Sequence, residues 1–513
     1  MEKYPWWSDA QKKLADEAQQ LVDELTPLAQ EDAWNRRYPW RIAKEIGKRG
    51  WYGAIIPERY GGHREEWGVT GACILCEELG RLRAISNDFI NTMCSGGAHL
   101  LNRHGTDEQK RRWLSRIATG ELHTSVAITE PFAGSDAGSV ETRAVRKGDF
   151  YVLNGKKRFV TNTGAAHLYM TYARTSEKPE DRKKYRHLSA IVVEKGMPGF
   201  SIEKINELVG YDGLYNAYLN FDHVEVPLSN RIAEEGDGWS IMMAGLNVER
   251  TVAAATSLGG MREALAYASF HLERRIQFGQ PTVNLPTNQF KLADMITSLN
   301  MSRLLTYYTA YLFDLGGDSA LYPAMLKLNN TERLMRDFVL NAIQCMGGDG
   351  VTKFYPVERI MRDAKINETA AGSNDIMRML IYRQGLKQMV DDLRVPRRVM
   401  DKDLKIPMPI GRVGELPRYP ATEEGVLEAL AENYRVNPGL HMTVAELKEQ
   451  ISATDEEIVQ YLISLEEKGL ARLYRSGRGA VVSLARATYD GLAKAHPSDY
   501  YQYRPVWAVD EVF

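Results

Sequence analysis

Two stretches of the 513-residue chain carry side chains whose types and spacing could do chemistry. The first, AITEPFAGSDAGS over residues 127–139, is rich in Gly and Ser, which let backbone approach a flat ligand or a phosphate closely, although such a run is a weak indicator alone. The second is LNVERTVAAA, residues 246–255. At 3.6 residues per turn Glu249 shares a helix face with Met242, Leu246, Ala253 and Thr256. A carboxylate on a largely apolar face needs a partner or a purpose, and accepting a proton from carbon is one such purpose. Most helical glutamates are solvated or salt-bridged, so spacing alone does not decide. Asp88, in AISNDFINTM, is a further carboxylate among apolar residues, and its ordinary reading is helix capping. Cys73 and Cys76 have the spacing of a metal or redox pair, but they lie in the helix-like run TGACILCEELGRL with no second ligand pair nearby. Core packing is the expectation there, with no metal site.

At roughly 150 residues per domain the length predicts three to four compact units. The chain is 44% hydrophobic and 26% charged with a net charge of -2, which excludes general disorder and a broad polyanion-binding surface. The N-terminus turns polar within ten residues, and no apolar run nears the ~18 residues of a membrane span. With only four cysteines, a reducing compartment and a cytoplasmic location are expected. Residues 1–123 read as helices, with apolar positions every three or four residues. Residues 124–236 change to short alternating runs (YVLNGKKRFVTN, HLYMTYART, HLSAIVVEK, AYLNFDHVEVP), a β domain. Long helical periods return over 237–395, a bundle. Residues 396–420 hold five prolines and no period, predicting an extended linker. Residues 421–495 read helix, helix, helix, hairpin, helix, the order of a winged helix-turn-helix, and 496–513 form an aromatic tail. The fold class is α+β multidomain.

Six pieces occur in order, AITEPFAGSD, GKKRFVTN, FDHVEVP, ERRIQFG, IQCMGGDG and RDAKINETAAGSNDI, and with them the chain resembles the acyl-CoA dehydrogenase family over roughly residues 5–390. The resemblance implies a helical N-terminal domain, a middle β domain and a C-terminal four-helix bundle, with FAD as cofactor. Ile128 and Thr129 match the strand lining the flavin pyrimidine. Ser135 matches the serine near the flavin phosphates and the coenzyme A tail. Phe159 and Thr161 match the slots beside the isoalloxazine, where Phe replaces the usual Trp and keeps the flat face without the indole N–H. Arg275 and Phe278, with Gln344 and Gly348, match residues that reach the FAD of a neighbouring subunit, which implies an oligomer, commonly a tetramer. Pro286 departs from the usual Gln after the FG turn, and Gln289 lies one turn on.

The reaction implied is α,β-dehydrogenation of an acyl-CoA to its 2-enoyl-CoA, with electrons passing to an electron-transfer flavoprotein. The backbone N–H of Ala371 and a flavin ribityl hydroxyl are expected to polarise the thioester carbonyl, and Ser373 keeps the hydroxyl that contacts the cofactor. Most of the family carries its base at the position of Ala371, so the common base is absent. Isovaleryl-CoA and long-chain members carry a Glu on the helix entering the bundle instead, and Glu249 takes that slot. Asp88 is the alternative base, since members acting on alicyclic thioesters resemble that arrangement; Glu368 is expected to face away from the flavin. Arg250 is read as orienting the Ala371 loop or holding the thioester, and Asn247 as a pantetheine contact.

The C-terminal unit carries eight Lys/Arg against twelve Asp/Glu, a net of -4, opposite to what phosphate neutralisation requires. Only its wing, with Arg472, Arg475 and Arg478, is basic. Protein contact is expected there, and nucleic acid is not. Two rival readings remain on the same scaffold. A flavin monooxygenase or carrier-protein-dependent dehydrogenase would lack a base at either slot, and an acyl-CoA-sensing regulator would carry a basic recognition helix.

Overall fold

A computed structural model describes residues 3–94, 96–317, 319–393, 399–401, 406–408, 417–436, 441–476 and 481–497. They fall into two compact units, Met1–Leu386 and Lys387–Phe513. The first opens with helices α1 (Asp9–Trp34), α2 (Trp40–Lys48), α3 (Arg64–Leu79), α4 (Ala84–Met93), α5 (Ala98–His104) and α6 (Asp107–Ala118). Helices α1 and α6 begin at capping boxes, Ser8 with Gln11 and Thr106 with Gln109, each satisfying two otherwise orphaned N–H groups. The Gln109 amide also donates to the carbonyls of Ser229 and Arg231, both at 2.7 Å, which ties this helical layer to the sheet that follows.

The sheet comprises β1 (Thr124–Ala127), β2 (Arg143–Lys147), β3 (Phe150–Thr161), β4 (Leu168–Arg174), β5 (Leu188–Glu194), β6 (Phe200–Ile205), β7 (Asn216–Pro227) and β8 (Arg231–Ile232), with the short helix α7 (Pro179–Lys183) between β4 and β5. Its order is β6-β7-β3-β2-β4-β5-β8, and β1 pairs parallel with β4 in the register Thr124↔Leu168 to Ala127↔Thr171. The four alternating runs expected from sequence are β3, β4, β5 and β7. Strand β6 offers no alternation to read, because beyond its half-buried Phe200 every residue is exposed. One sheet face, with Met170, Tyr172, Ala190 and Val192, shares a core with Leu101, Trp113 and Ile117 of α5 and α6; the opposite face holds Tyr151, Leu153, Ile191 and Phe221 in a separate core.

Helix α8 (Gly238–Arg274) runs for 37 residues and carries the site described below. A tight pair, β9 (Ile276–Gln277) and β10 (Gln280–Pro281), leads to α9 (Pro286–Asp314) and α10 (Leu321–Arg333); a π-helical turn, Leu334–Val339, then passes into α11 (Leu340–Met346), α12 (Val357–Asn367) and α13 (Asn374–Leu393). Pro286 starts α9, where a missing N–H costs nothing. Helix α8 meets α3 almost backbone to backbone. A Cβ on Gly80 would sit 2.3 Å from the Thr256 carbonyl oxygen, and one on Gly259 would sit 2.4 Å from that of Glu77. Glu77, fully buried on α3, accepts from Arg303 Nη2 (2.5 Å) and Tyr307 Oη (2.9 Å) of α9, so its charge is met where the helices close.

Cys73, Cys76 and Cys94 are free, fully buried thiols, pushed well above their ordinary range first by burial. Among the described residues no cluster is arranged to hold a metal, and no helix is long and apolar enough to cross a membrane.

Within the expected linker, β11 (Val399–Asp401) and β12 (Ile406–Met408) form an antiparallel pair with Met400 opposite Pro407. A two-stranded ribbon leaves each strand an unpaired edge, so proline is tolerated there. The second unit continues with α14 (Glu423–Val436), α15 (Val444–Lys448), α16 (Asp455–Glu467), the antiparallel hairpin β13 (Ala471–Ser476) and β14 (Val481–Ala487), and α17 (Tyr489–Ala495). Its own core gathers Val426, Leu430, Leu447, Ile458, Leu462 and Leu492. Arg478 and the aromatic tail beyond 497 lie outside the described residues. Because each unit closes its own core, scanning calorimetry is expected to resolve two unfolding transitions; a single two-state transition for the whole chain would overturn that independence.

Candidate active site

The stretch that ends β1 and the middle of β3 form one frame. Arg158 N donates to the Thr129 carbonyl at 2.8 Å, and Lys157 Nζ donates to the Ile128 carbonyl at 2.9 Å. Lys157 is fully buried and also pairs with Glu130 Oε1 at 2.7 Å; burial pulls it down to about 8 against the opposing pull of that carboxylate. Glu130 in turn accepts from the backbone of Glu141 (2.5 Å) and Thr142 (2.9 Å), so the loop carrying Ser135 is closed at its base. Sequence reasoning quoted both charges inside their motifs and gave neither a role. The signal was a lysine at an inward position of an alternating strand.

Within this frame Phe159 takes a left-handed backbone, φ +56°, and stands 49% exposed, with Arg158 4.0 Å from its ring centroid. Thr161 Oγ1 accepts from Asn216 Nδ2 at 3.1 Å and keeps its own O–H to give. Ile128 and Thr129 are half-buried, and Ser135 is exposed.

Glu249 lies on α8, with Asn247 and Arg250 buried around it. Its carboxylate acts on three elements at once. Burial first, and then the Glu249 charge, push up the phenol of Tyr172 on β4 and the thiol of Cys94 at the end of α4. Tyr172 is fully buried and its hydroxyl has no hydrogen-bond partner among the described residues. Arg250 is held below its ordinary range by burial, against the pull of Glu249. Its Nε donates to the Ala371 carbonyl at 3.0 Å and its Nη1 to Asn247 Oδ1 at 3.3 Å. The guanidinium therefore joins the helix bearing Glu249 to the loop bearing Ala371, Gly372 and Ser373. Ala371 sits at φ +54°, a region costing a residue with a Cβ about 1–2 kcal/mol. Glu368, at the end of α12, pairs with Lys365 at 2.6 Å.

Asp88 sits inside α4 and caps nothing, which corrects its ordinary reading. It is fully buried, and both its oxygens are engaged by His123 Nδ1 (2.9 and 3.1 Å); Asn162 Nδ2 donates at 2.7 Å and the Tyr52 hydroxyl donates too. Burial works to raise Asp88, but the His123 charge and these hydrogen bonds outweigh it and hold the carboxyl below its usual range. Burial likewise opposes charge on His123, and Asp88 outweighs it, leaving the imidazole raised. Sequence reasoning missed His123 and Tyr52, which lie far from Asp88 along the chain.

Arg275, at the C-terminal cap of α8, and Phe278, on the β9–β10 turn, are exposed, Phe278 at 89%. Gln344 and Gly348 are exposed beside Asp349, whose carboxylate lies 3.9 Å from His271 near the C-terminal end of α8. The four therefore gather at one end of the bundle.

Comparison with known proteins follows the same division of the chain. Profiles of the acyl-CoA dehydrogenase N-terminal, middle and C-terminal domains match residues 8–121, 125–224 and 236–386. The chain belongs to the acyl-CoA dehydrogenase family. It is 37% identical over 361 residues to an acyl-CoA dehydrogenase of Bacillus subtilis, covering 70% of this chain and 93% of that one. It is 39% identical over 363 residues to the cyclohex-1-ene-1-carbonyl-CoA dehydrogenase of Geobacter metallireducens, again covering 70% and 93%. The solved structure of butyryl-CoA dehydrogenase from Megasphaera elsdenii matches with a TM-score of 0.71 and 32% identity, covering 75% of this chain and 100% of that one.

As a member of the acyl-CoA dehydrogenases this chain is an acyl-CoA-oxidising enzyme, and its cofactor is FAD. The residues present fit that group. Phe159 offers an uncovered flat face, Thr161 and Ser373 offer hydroxyls, and the Ile128–Thr129 segment is fixed in place by Lys157 and Arg158.

The Asp88–His123 pair gives the acyl-CoA dehydrogenase unit a pH signature. Its stabilisation is present between the unfolded carboxyl value of about 3.9 and the unfolded imidazole value of about 6.5. It is lost as pH rises through the raised His123 value or falls through the lowered Asp88 value. Asp88→Asn, which removes the charge that keeps the buried imidazole protonated, is expected to cost about 3 kcal/mol at pH 6 and clearly less at pH 9 in denaturant melts. An equal loss at both pH values would refute the ion pair.

Proposed function

We propose that Glu249 is the base that removes the α-proton of the acyl-CoA thioester, and that the electrons leave to an electron-transfer flavoprotein. The observation that carries this reading is the placement of Glu249 on α8 beside Cys94 and Tyr172, one residue from the arginine that grips Ala371 at 3.0 Å. The backbone N–H of Ala371 donates to the thioester oxygen as negative charge develops there. That stabilises the transition state more than the ground state, so the gain falls on the rate rather than on binding. Bound FAD supplies the acceptor for the β-hydrogen. Ile128, Thr129, Phe159, Thr161 and Ser373 hold the isoalloxazine. Ser135 and Asn247 meet the coenzyme A arm, and Arg250 fixes the loop.

Asp88 is not adopted as the base: its oxygens already serve His123, Asn162 and Tyr52. A monooxygenase or carrier-protein-dependent reading predicts no base near the loop, against the position of Glu249. The reading leaves branched, long-chain, alicyclic and aromatic-derived thioesters all open as the acyl group. The test is anaerobic flavin bleaching against such a panel, wild type beside Glu249→Gln. One thioester is expected to bleach the wild type, with the variant slower by at least about a thousandfold while still binding acyl-CoA. Equal rates would remove Glu249 from the chemistry.

The same reading assigns Arg275, Phe278, Gln344 and Gly348 to the FAD of a neighbouring subunit in a tetramer. Phe290, Met301, Leu315, Phe354 and Tyr382 stand exposed on the catalytic unit, an apolar surface that suits a second copy of the chain. The second unit is read as a winged-helix-like domain that contacts protein rather than nucleic acid. Among its described cations, Arg475 pairs with Glu466, Lys468 with Glu423 (2.7 Å) and Lys448 with Asp455 (2.6 Å), so little free positive charge faces outward. A chain truncated after residue 393 is expected to keep FAD and sediment as a tetramer. Dissociation would move the assembly contact into the removed segment.

A further inference from the structure

Lys327, on α10, is a buried charged group of the catalytic unit that the mechanism above leaves unused. Its surroundings in sequence, PAMLKLNN, are those of a helix face turned inward, and the side chain is 2% exposed. Two acceptors meet its Nζ. One is the Glu368 carbonyl at 3.0 Å, and the other is Asn374 Oδ1 at 2.7 Å, which also receives the Thr331 hydroxyl at 3.1 Å. Glu368 and Asn374 are the two ends of the loop that contains Ala371, and Asn374 N closes back on the Glu368 carbonyl at 3.0 Å.

We propose that Lys327 is a positioning residue that fixes the direction of the Ala371 N–H, and with it the polarisation of the substrate carbonyl. The inference rests on the role given to Ala371 above. Ala371 holds a left-handed backbone that a residue with a Cβ leaves readily unless its surroundings over-determine it. Arg250 holds the middle of the loop by the Ala371 carbonyl, and the loop's own backbone hydrogen bonds, Ala370 N to Ile366 O and Asn374 N to Glu368 O, shape it without tying it to α10. Lys327 pins both ends from the opposite helix, so the peptide on the N-terminal side of Ala371 is fixed in rotation as well as in place. Burial, and then repulsion from Arg250, draw Lys327 down to about 7, while Glu368 and Glu332 pull the other way. The clamp does not depend on that titration. An ammonium has three N–H donors and a neutral amine two, and the loop presents two acceptors. Apolar contact alone would not require a lysine here, and methionine would fill the space.

The test uses the full-length FAD-loaded enzyme and the 2-enoyl-CoA whose saturated parent bleaches fastest in the panel above. Raman difference spectra of the bound ligand report its thioester carbonyl stretch, which falls when donors polarise the bond. Wild type is expected to lower that stretch relative to free ligand, and Lys327→Met to keep less than half of the lowering. The same variant is expected to lose about tenfold to a hundredfold in kcat, with the ligand Kd within about threefold and FAD content unchanged. Asn374→Ala, which removes one anchor while leaving Lys327, is expected to move the stretch the same way to a smaller extent, and it serves if Lys327→Met does not fold. A wild-type-like stretch in both variants, with only thermal stability reduced, would overturn the inference. If the wild type itself shows no lowering, or nothing in the panel bleaches, the role of Ala371 fails first.

Discussion

Burial of the Arg250 guanidinium is tolerable only because oxygen meets it, and the oxygen at 3.0 Å is the carbonyl of Ala371. That one contact joins two parts of the chain with different needs. Helix α8 carries a carboxylate beside buried residues, and the 368–374 loop holds Ala371 in a left-handed turn. Neither is stable by local preference. A charge among apolar residues is penalised, and so is a positive φ at a residue with a Cβ. The arginine answers both, since its positive charge favours Glu249 and its N–H groups hold the strained loop.

For this contact to be made, α8 must arrive at a fixed height and rotation. The glycines at 80 and 259 allow α3 and α8 to touch through backbone, where any side chain would drive them apart. Glu77 then ties α3 to α8 through Arg262 at 3.3 Å and to α9 through Arg303 and Tyr307, so its buried charge is met from both helices. On the far side the sheet is fixed to the helical layer by Gln109 and to itself by Lys157 and Glu130. The half of the site on β1 and β3 and the half on α8 are thus set by separate polar clamps, each costly to leave half-made.

What the sequence revealed and what it hid follow from this arrangement. Helix α8 is legible as a long helical segment and β3, β4, β5 and β7 as short runs bounded by Gly, Asn, Asp or Pro, although α8, β4 and β5 bury more than one face. Glu249 stood out in the sequence as a carboxylate sharing a face with apolar residues, and its role as base rests on the proposal above. The partners that neutralise such charges were not legible: Asp88 meets His123 from 35 residues away and Tyr52 from 36, and no periodicity links them. Asp88 was consequently read as a cap, although it lies within a turn of helix. Strand β6 escaped because an exposed edge has no face to alternate. The pairing of Val399–Asp401 with Ile406–Met408 escaped because prolines veto a central strand and say little about a free edge.

The placement of the base has a physical consequence of its own. In the common arrangement that the family resemblance describes, one loop supplies both the carboxylate and the N–H that polarises the carbonyl, so any movement of the loop disturbs both. Under the proposed assignment of Glu249 and Ala371 the two duties are separated. The carboxylate rides on a 37-residue helix anchored along most of its length, and the loop keeps a methyl side chain and only the N–H to deliver. Such a loop can be held by contacts that never touch substrate, one from α8 in front and one from α10 behind. Separation also relaxes a steric demand. Alanine at φ +54° carries the smallest side chain that still has a Cβ, so the strain at the turn stays near its minimum while the base gains the rigidity of a buried helix.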